Sequence, residues 1–212
     1  MLCYIGLMYK LTTVILTIAL NLPINQKDES YYPTSREQWL IDVSHAIERA
    51  SNRVVNIDKT WPGTQRELAV ALIVLASYES NLSPRIQAGK CHVHECDAWV
   101  FNNGIVWHRA ASMWQLHASD ALPEERWKQI IGTDVNTIER AAYEAAKILT
   151  KSRNQCKRYT QERNMSWVTG MFSAYATGNK CEWIGAFERT ARYQNTLWIT
   201  PSSQALNLVK HK

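Results

Sequence analysis

The stretch Leu68–Pro84 reads LAVALIVLASYESNLSP, an almost unbroken apolar run that ends in one carboxylate, Glu79, followed at once by Ser80 and Asn81. Thr64 and Glu67 stand three apart just ahead of it. At that spacing a threonine hydroxyl and a glutamate carboxylate cap each other's backbone amides at a helix start. The pattern predicts a buried helix. Leu68, Leu72, Leu75 and Glu79 fall at i, i+4, i+7 and i+11 and share one face, so the carboxylate sits where the apolar surface runs out. A carboxyl group with poor access to water is harder to ionise, and a proton held near neutral pH can be given to a leaving group. The plainer reading is a core helix whose last turn reaches solvent at a glutamate.

Outward from this helix, Ser35 stands three before Gln38, a second capping-box spacing, and Trp39, Leu40, Val43, Ala46, Ile47 and Ala50 keep helical period to about Ser51. Residues 52–63 carry Pro62 and Gly63 and read as the loop feeding the central helix. After Pro84 the period dissolves over 86–106. Helical character returns at 109–119, and Pro123 and Gly132 bracket a short helix. From Asn136 or Thr137, the stripe Ile138, Ala141, Ala142, Ala145, Ile148 and Leu149 marks a longer one, alanine-faced and therefore suited to a close neighbour. Segments 165–176 and 182–198 are two more. No alternating run is long enough for a strand, so the fold class expected is mainly α, with one irregular insertion after the Glu79 helix.

The chain has 212 residues, enough for one domain with a full core, and a formal net charge of +5. Such a balance favours an anionic partner: nucleic acid, membrane headgroups or acidic cell-wall polymers. Lys and Arg are scattered rather than striped, and no nucleic-acid-binding pattern occurs, so no nucleic-acid partner is expected. Nine tryptophans are spread along the chain, and Trp61, Trp99, Trp107, Trp114 and Trp183 fall in or beside loops and helix ends. Aromatic rings at a cleft suit a carbohydrate site, whereas each could equally be core.

At the N-terminus, Leu11–Leu22 is apolar, follows Lys10, and precedes the first acidic residue, Asp28. Residues 1–23 therefore read as a signal peptide or membrane anchor, with a core helix as the other reading. Cys3 lies ahead of the apolar stretch and does not fit a lipid-attachment cysteine. Residues 24–34 read as a linker, 35–200 as the body and 201–212 as a tail. Cys91, Cys96, Cys156 and Cys181 remain in the body, an even number that suits two disulfides in an exported protein, with the local pairs Cys91–Cys96 and Cys156–Cys181 expected. The cluster CHVHECD at 91–97 also offers Cys91, His92, His94 and Cys96 as zinc ligands. They are packed too closely to converge easily on one tetrahedral ion, so no metal and no cofactor is expected.

Three segments, in order, resemble the lysozyme-like lytic transglycosylases. ASYESNLSP around Glu79 is similar to that family's E-S-x-x-x-P segment, SMWQLH at 112–117 to its G-L-M-Q-L segment, and SAYATG at 173–178 to its A-Y-N-A-G segment. The resemblance spans about residues 64–192. It implies a lysozyme-like helical domain, with an irregular loop or small β insertion after the catalytic helix, that cleaves the β-1,4 bond between N-acetylmuramic acid and N-acetylglucosamine in peptidoglycan. It further implies Glu79 as the single acid and base, Ser80 as a partner of the sugars or a support of the site, Gln115 as a cleft residue, and Tyr175 as a holder of the glutamate or a sugar ring. Ser112, Trp114 and Ala176 depart from the family's usual glycine, methionine and asparagine.

The expectation is thus an exported enzyme, periplasmic, secreted or membrane-anchored facing the wall, acting as a monomer on glycan strands. Two rivals remain. A muramidase-type hydrolase needs a second carboxylate, about 5 to 5.5 Å away for retention or about 6.5 to 9.5 Å for inversion. Glu95, Asp97 and Asp120 are candidates, Asp97 foremost. A non-catalytic wall-binding protein would keep the cleft without the chemistry. A small metal-binding protein built on 91–96 is a further alternative.

Overall fold

The computed structural model describes residues 10–23, 26–100, 104, 106–119 and 122–210. Among them the chain runs α1 (Leu11–Leu20), a 3-10 turn (Gln26–Tyr31), α2 (Arg36–Asn52) with a π turn (Arg53–Ile57), α3 (Gln65–Glu79) and α4 (Pro84–Gln87). Four short strands follow, β1 (Ala98–Val100), β2 (Val106–His108), β3 (Ala110–Ala111) and β4 (Leu116–His117). The second half is again helical: α5 (Glu124–Lys128), α6 (Val135–Glu162), α7 (Trp167–Thr177), α8 (Gly185–Thr196) and α9 (Ser203–Lys210). The strands form two antiparallel hairpins, β1 with β2 and β3 with β4. The fold is mainly α with a small β insertion after α3, as expected, but residues 109–119, read as helical, hold β3, β4 and the turn between them, because this stretch pairs with itself in a hairpin.

The central helix begins as its capping pattern dictates: Thr64 N–H donates to Glu67 Oε2 at 2.6 Å and Glu67 N–H to Thr64 Oγ1 at 3.2 Å. Its stretch Leu68 to Ala76 is wholly enclosed, packed by α1, α2, α6 and α8. At α2 only half the box forms. Ser35 Oγ accepts from Gln38 N–H, while the Gln38 amide turns outward to Asp42 Oδ1 at 2.7 Å, an i,i+4 partner that competes for it. The alanine stripe of α6 is buried against α2 and α7. Beyond the stripe, α6 meets α7 closely at Gly170, where an added Cβ would come within 3.0 Å of Cys156 Cβ and nearer still to Thr160 Cγ2.

Both ends of the chain depart from the expected boundaries. The apolar N-terminal stretch is not a segment apart from the body: Val14, Ile15, Leu16, Ile18 and Ala19 of α1 lie in the core against α2, α3 and α9. Ten residues of helix span only about 15 Å, half a bilayer's apolar thickness. Among the described residues no helix is long and apolar enough to cross a membrane. The expected linker holds Asp28, which is buried where Ser83 Oγ donates to its Oδ1 at 2.7 Å and Arg85 Nε approaches to 3.4 Å. The expected tail contains α9, whose Ala205 is buried in the core and which packs on α1 and α2. The short helix after Pro123 stops at Lys128, before Gly132.

Cys91–Cys96 and Cys156–Cys181 are disulfides. The pairing fits an oxidising environment. It also removes both sulfurs of the 91–97 cluster from metal binding, and among the described residues no group of three or more His, Cys, Asp or Glu could hold an ion. The first disulfide closes a loop that Arg85 anchors from beneath: its guanidinium, almost wholly buried, donates to both carboxylate oxygens of Glu95 at 2.7 Å and to Lys90 O.

Candidate active site

The Glu79 helix ends abruptly. Ser80 leaves helical geometry, and Asn81 and Leu82 both adopt φ near +55°, so the chain turns back within three residues of the carboxylate. This sparsely populated conformation is held by tertiary contacts. Trp39 Nε1 donates to Leu82 O at 2.8 Å, and the Leu82 side chain is buried. The helix terminus therefore keeps its place and delivers Glu79 into a cleft of about 700 Å³. That volume lies in the range of small-ligand sites.

The cleft gathers residues remote in sequence. Glu79 enters from α3, Gln115 from the turn between β3 and β4, Tyr175 from α7, Lys151 from α6, Asp97 from the loop after the first disulfide, and Trp183 and Arg189 from the approach to α8 and α8 itself. The carboxyl and amide carried by two of the three motifs thus share one concavity with the tyrosine of the third. Ser112 and Gln115 adopt φ of +63° and +52°, the left-handed region, so a tight turn throws the Gln115 side chain into the cleft. Its Nε2 donates to Ser112 O at 3.2 Å and lies 3.5 Å from Cys96 Sγ. A residue with positive φ is most comfortable as glycine, which accounts physically for serine being the unusual choice at 112.

Ser80 takes a supporting place. Its hydroxyl donates to Met113 O at 2.9 Å, tying the end of α3 to the Gln115 turn, and it does not line the cleft. Tyr175 likewise spends its proton on backbone, donating to Trp114 O at 2.6 Å. Burial, and next the nearby Glu79, push its phenol well above the ordinary value, so it stays a neutral donor. Trp114 is fully buried with Nε1 donating to Leu72 O, and Trp61 is core as well. Trp183, by contrast, lines the cleft. The side chains of Trp99 and Trp107 lie outside the described part of the structure.

Glu79 is 18% exposed, and burial raises its pKa while Arg189 opposes that rise. Arg189 Nη1 lies 2.7 Å from Glu79 Oε1. The pair acts on the carboxyl first through charge and then through hydrogen bonding, both of which favour the ionised form. Sequence reasoning passed over Arg189, because an arginine on an amphipathic helix carries no local mark; only the Tyr78, Trp183 and Glu79 side chains around it set it apart. Of the candidate second carboxylates, Glu95 is committed to Arg85, which holds its pKa at about 2, and it does not line the cleft. Asp97 does line it, more than half exposed, with Arg109 Nη1 and His117 Nδ1 each 3.8 Å from its Oδ2. Burial lowers the His117 pKa, against the pull of Asp97. Asp120 lies outside the described residues.

The cleft can therefore offer a proton from a half-enclosed carboxyl, polar contacts from an amide, and an aromatic wall. Compared with models of known protein families, with curated proteins and with solved structures, the chain matches none.

Proposed function

We propose that this protein is a peptidoglycan lytic transglycosylase in which Glu79 is the only acid and base. The observation that carries the reading is the meeting of Glu79, Gln115 and Tyr175, one from each family-like segment, around one sugar-sized cleft. Glu79 gives its proton to the oxygen linking N-acetylmuramic acid to N-acetylglucosamine, and the bond from C1 to that oxygen breaks. The C6 hydroxyl of the same muramic acid then bonds to C1 and returns its proton to Glu79, closing a 1,6-anhydro ring without consuming water. Positioned proton transfer of this kind contributes on the order of 10² to 10⁴ in rate. The net charge of +5 suits an anionic wall, and two disulfides suit an exported enzyme that meets it from the periplasm, from outside the cell or from a membrane surface.

A hydrolase of the muramidase type draws support from Asp97, the other carboxylate that lines the cleft among the described residues. Mass spectrometry of purified wall digested by the protein separates the two. Fragments lighter by one water, with anhydromuramic ends, are expected; reducing ends would replace this reading with the hydrolase. Glu79→Gln should abolish cleavage. A variant that retained the full biological effect would point to a wall-binding protein without catalysis.

A further inference from the structure

Glu79 is asked to do two opposed things in one turnover: hold a proton before the bond breaks, and exist as a carboxylate afterwards. Burial at the end of α3 favours the first form. The feature that favours the second is Arg189, itself only 8% exposed and brought from α8 to 2.7 Å from Glu79 Oε1. The guanidinium is not free to drift. Its carbon lies 5.5 Å from the Tyr78 ring centroid and 5.1 Å from that of Trp183, so two rings clamp the cation at the carboxylate. Trp183 is seated in turn by Gly185, at which any side chain would run into the indole. The contact favours the carboxylate through charge and through hydrogen bonding, against the burial that favours the acid.

We propose that Arg189 is a positioning residue for the reaction, an aromatic-clamped counter-ion that steadies Glu79 as a carboxylate in the step where the C6 hydroxyl gives up its proton. This inference rests on the transglycosylase reading. Among the described residues, the other charged or titratable groups lining the cleft with Glu79 are Asp97 and His117 from the β insertion, Lys151 from α6 and the Tyr175 phenol from α7, while Arg192 also packs on the Tyr78 ring, 5.6 Å from its centroid. Among the described residues the cation in ion-pair contact with Glu79 is Arg189.

The test uses the full chain with its disulfides intact, as Arg189→Gln, Arg189→Lys and Arg189→Met. The last keeps apolar packing between the rings should Gln fold poorly. Glutamate carboxyl carbons are followed by NMR as pH is varied, with Glu79→Gln assigning the signal. An adjacent cation lowers a carboxyl pKa by about one to three pH units, so the Glu79 midpoint should rise by that much in the Gln or Met variant and return most of the way in Lys. General-acid cleavage needs the protonated form, so the alkaline limb of kcat/KM on purified wall should move up with the midpoint. The acidic-side plateau of kcat should fall by about tenfold, because the returning proton meets an unsteadied base. A midpoint that stays put, or activity lost equally at every pH and not restored by Lys, overturns the proposal. The titration needs no substrate: a wild-type chain that cleaves no wall overturns the transglycosylase reading and the role given to Arg189, while the midpoints still show whether the pair exists.

Discussion

At the scale of single residues, the cleft is built by side chains that spend their polar atoms on backbone so that others can point at a ligand. Ser80 and Tyr175 each donate to a carbonyl of the segment that carries Gln115, the first to Met113 and the second to Trp114. Removing the phenol leaves the Trp114 carbonyl without that donor, and a buried acceptor deprived of its partner costs about 1 to 3 kcal/mol. Tyr175→Phe should therefore lower the urea-unfolding free energy by this amount. An unchanged midpoint and slope would mean that the bond is absent in solution. Glu79 itself was legible in the sequence because its place in the helical period is a local property. Its counter-ion was not, since nothing near position 189 in the chain announces what lies across from it in space.

Elements show where packing and electrostatics overrule local pattern. The alanine stripe of α6 forecast a close neighbour but could not say which helix. Farther along α6, at Cys156 and Thr160, Gly170 of α7 makes such a close approach, and Gly170→Ala tests it. In an exposed helix the change would stabilise by about 1 kcal/mol through propensity. Here the new methyl meets Cys156 Cβ and Thr160 Cγ2 in a disulfide-tied interface, so a net loss of about 1 to 3 kcal/mol is expected in thermal or chemical unfolding. The loop bearing Asp97 depends on a different device, the Arg85–Glu95 pair. Glu95 has its folded pKa lowered from 4.5 to about 2. A depressed carboxyl contributes stability that is present above its unfolded pKa and disappears as pH falls through the folded one. The melting temperature should accordingly drop between about pH 4.5 and 2. Glu95→Gln should be less stable at neutral pH and should lose much of that acid dependence, a comparison that thermal melts across the range can make.

For the whole molecule the decisive question is what belongs to the core. Val14, Ile15, Leu16, Ile18 and Leu22 are all nearly or wholly buried. At about 1.5 to 3 kcal/mol for each large apolar side chain, their loss would remove on the order of 10 kcal/mol, comparable to the entire stability of a typical domain. Cleavage after residue 23 would thus open the core, and the expected mature protein retains α1. Intact-mass measurement on protein recovered from an exporting host checks this, and a mass that begins beyond α1 would refute it. The sequence by itself determined the mainly helical class, the start of α3 and the place of Glu79 where its apolar face runs out, and it made local disulfide pairs the expectation. Each of these follows from spacing along the chain or from a local pair. Only the tertiary structure decided that an apolar N-terminal run packs into the core, that Glu95 is bound elsewhere while Asp97 faces the cleft, and that Arg189 sits on Glu79. Burial and ion pairing depend on what other parts of the chain bring close, and hydrophobicity along one segment reads the same whether lipid or protein covers it.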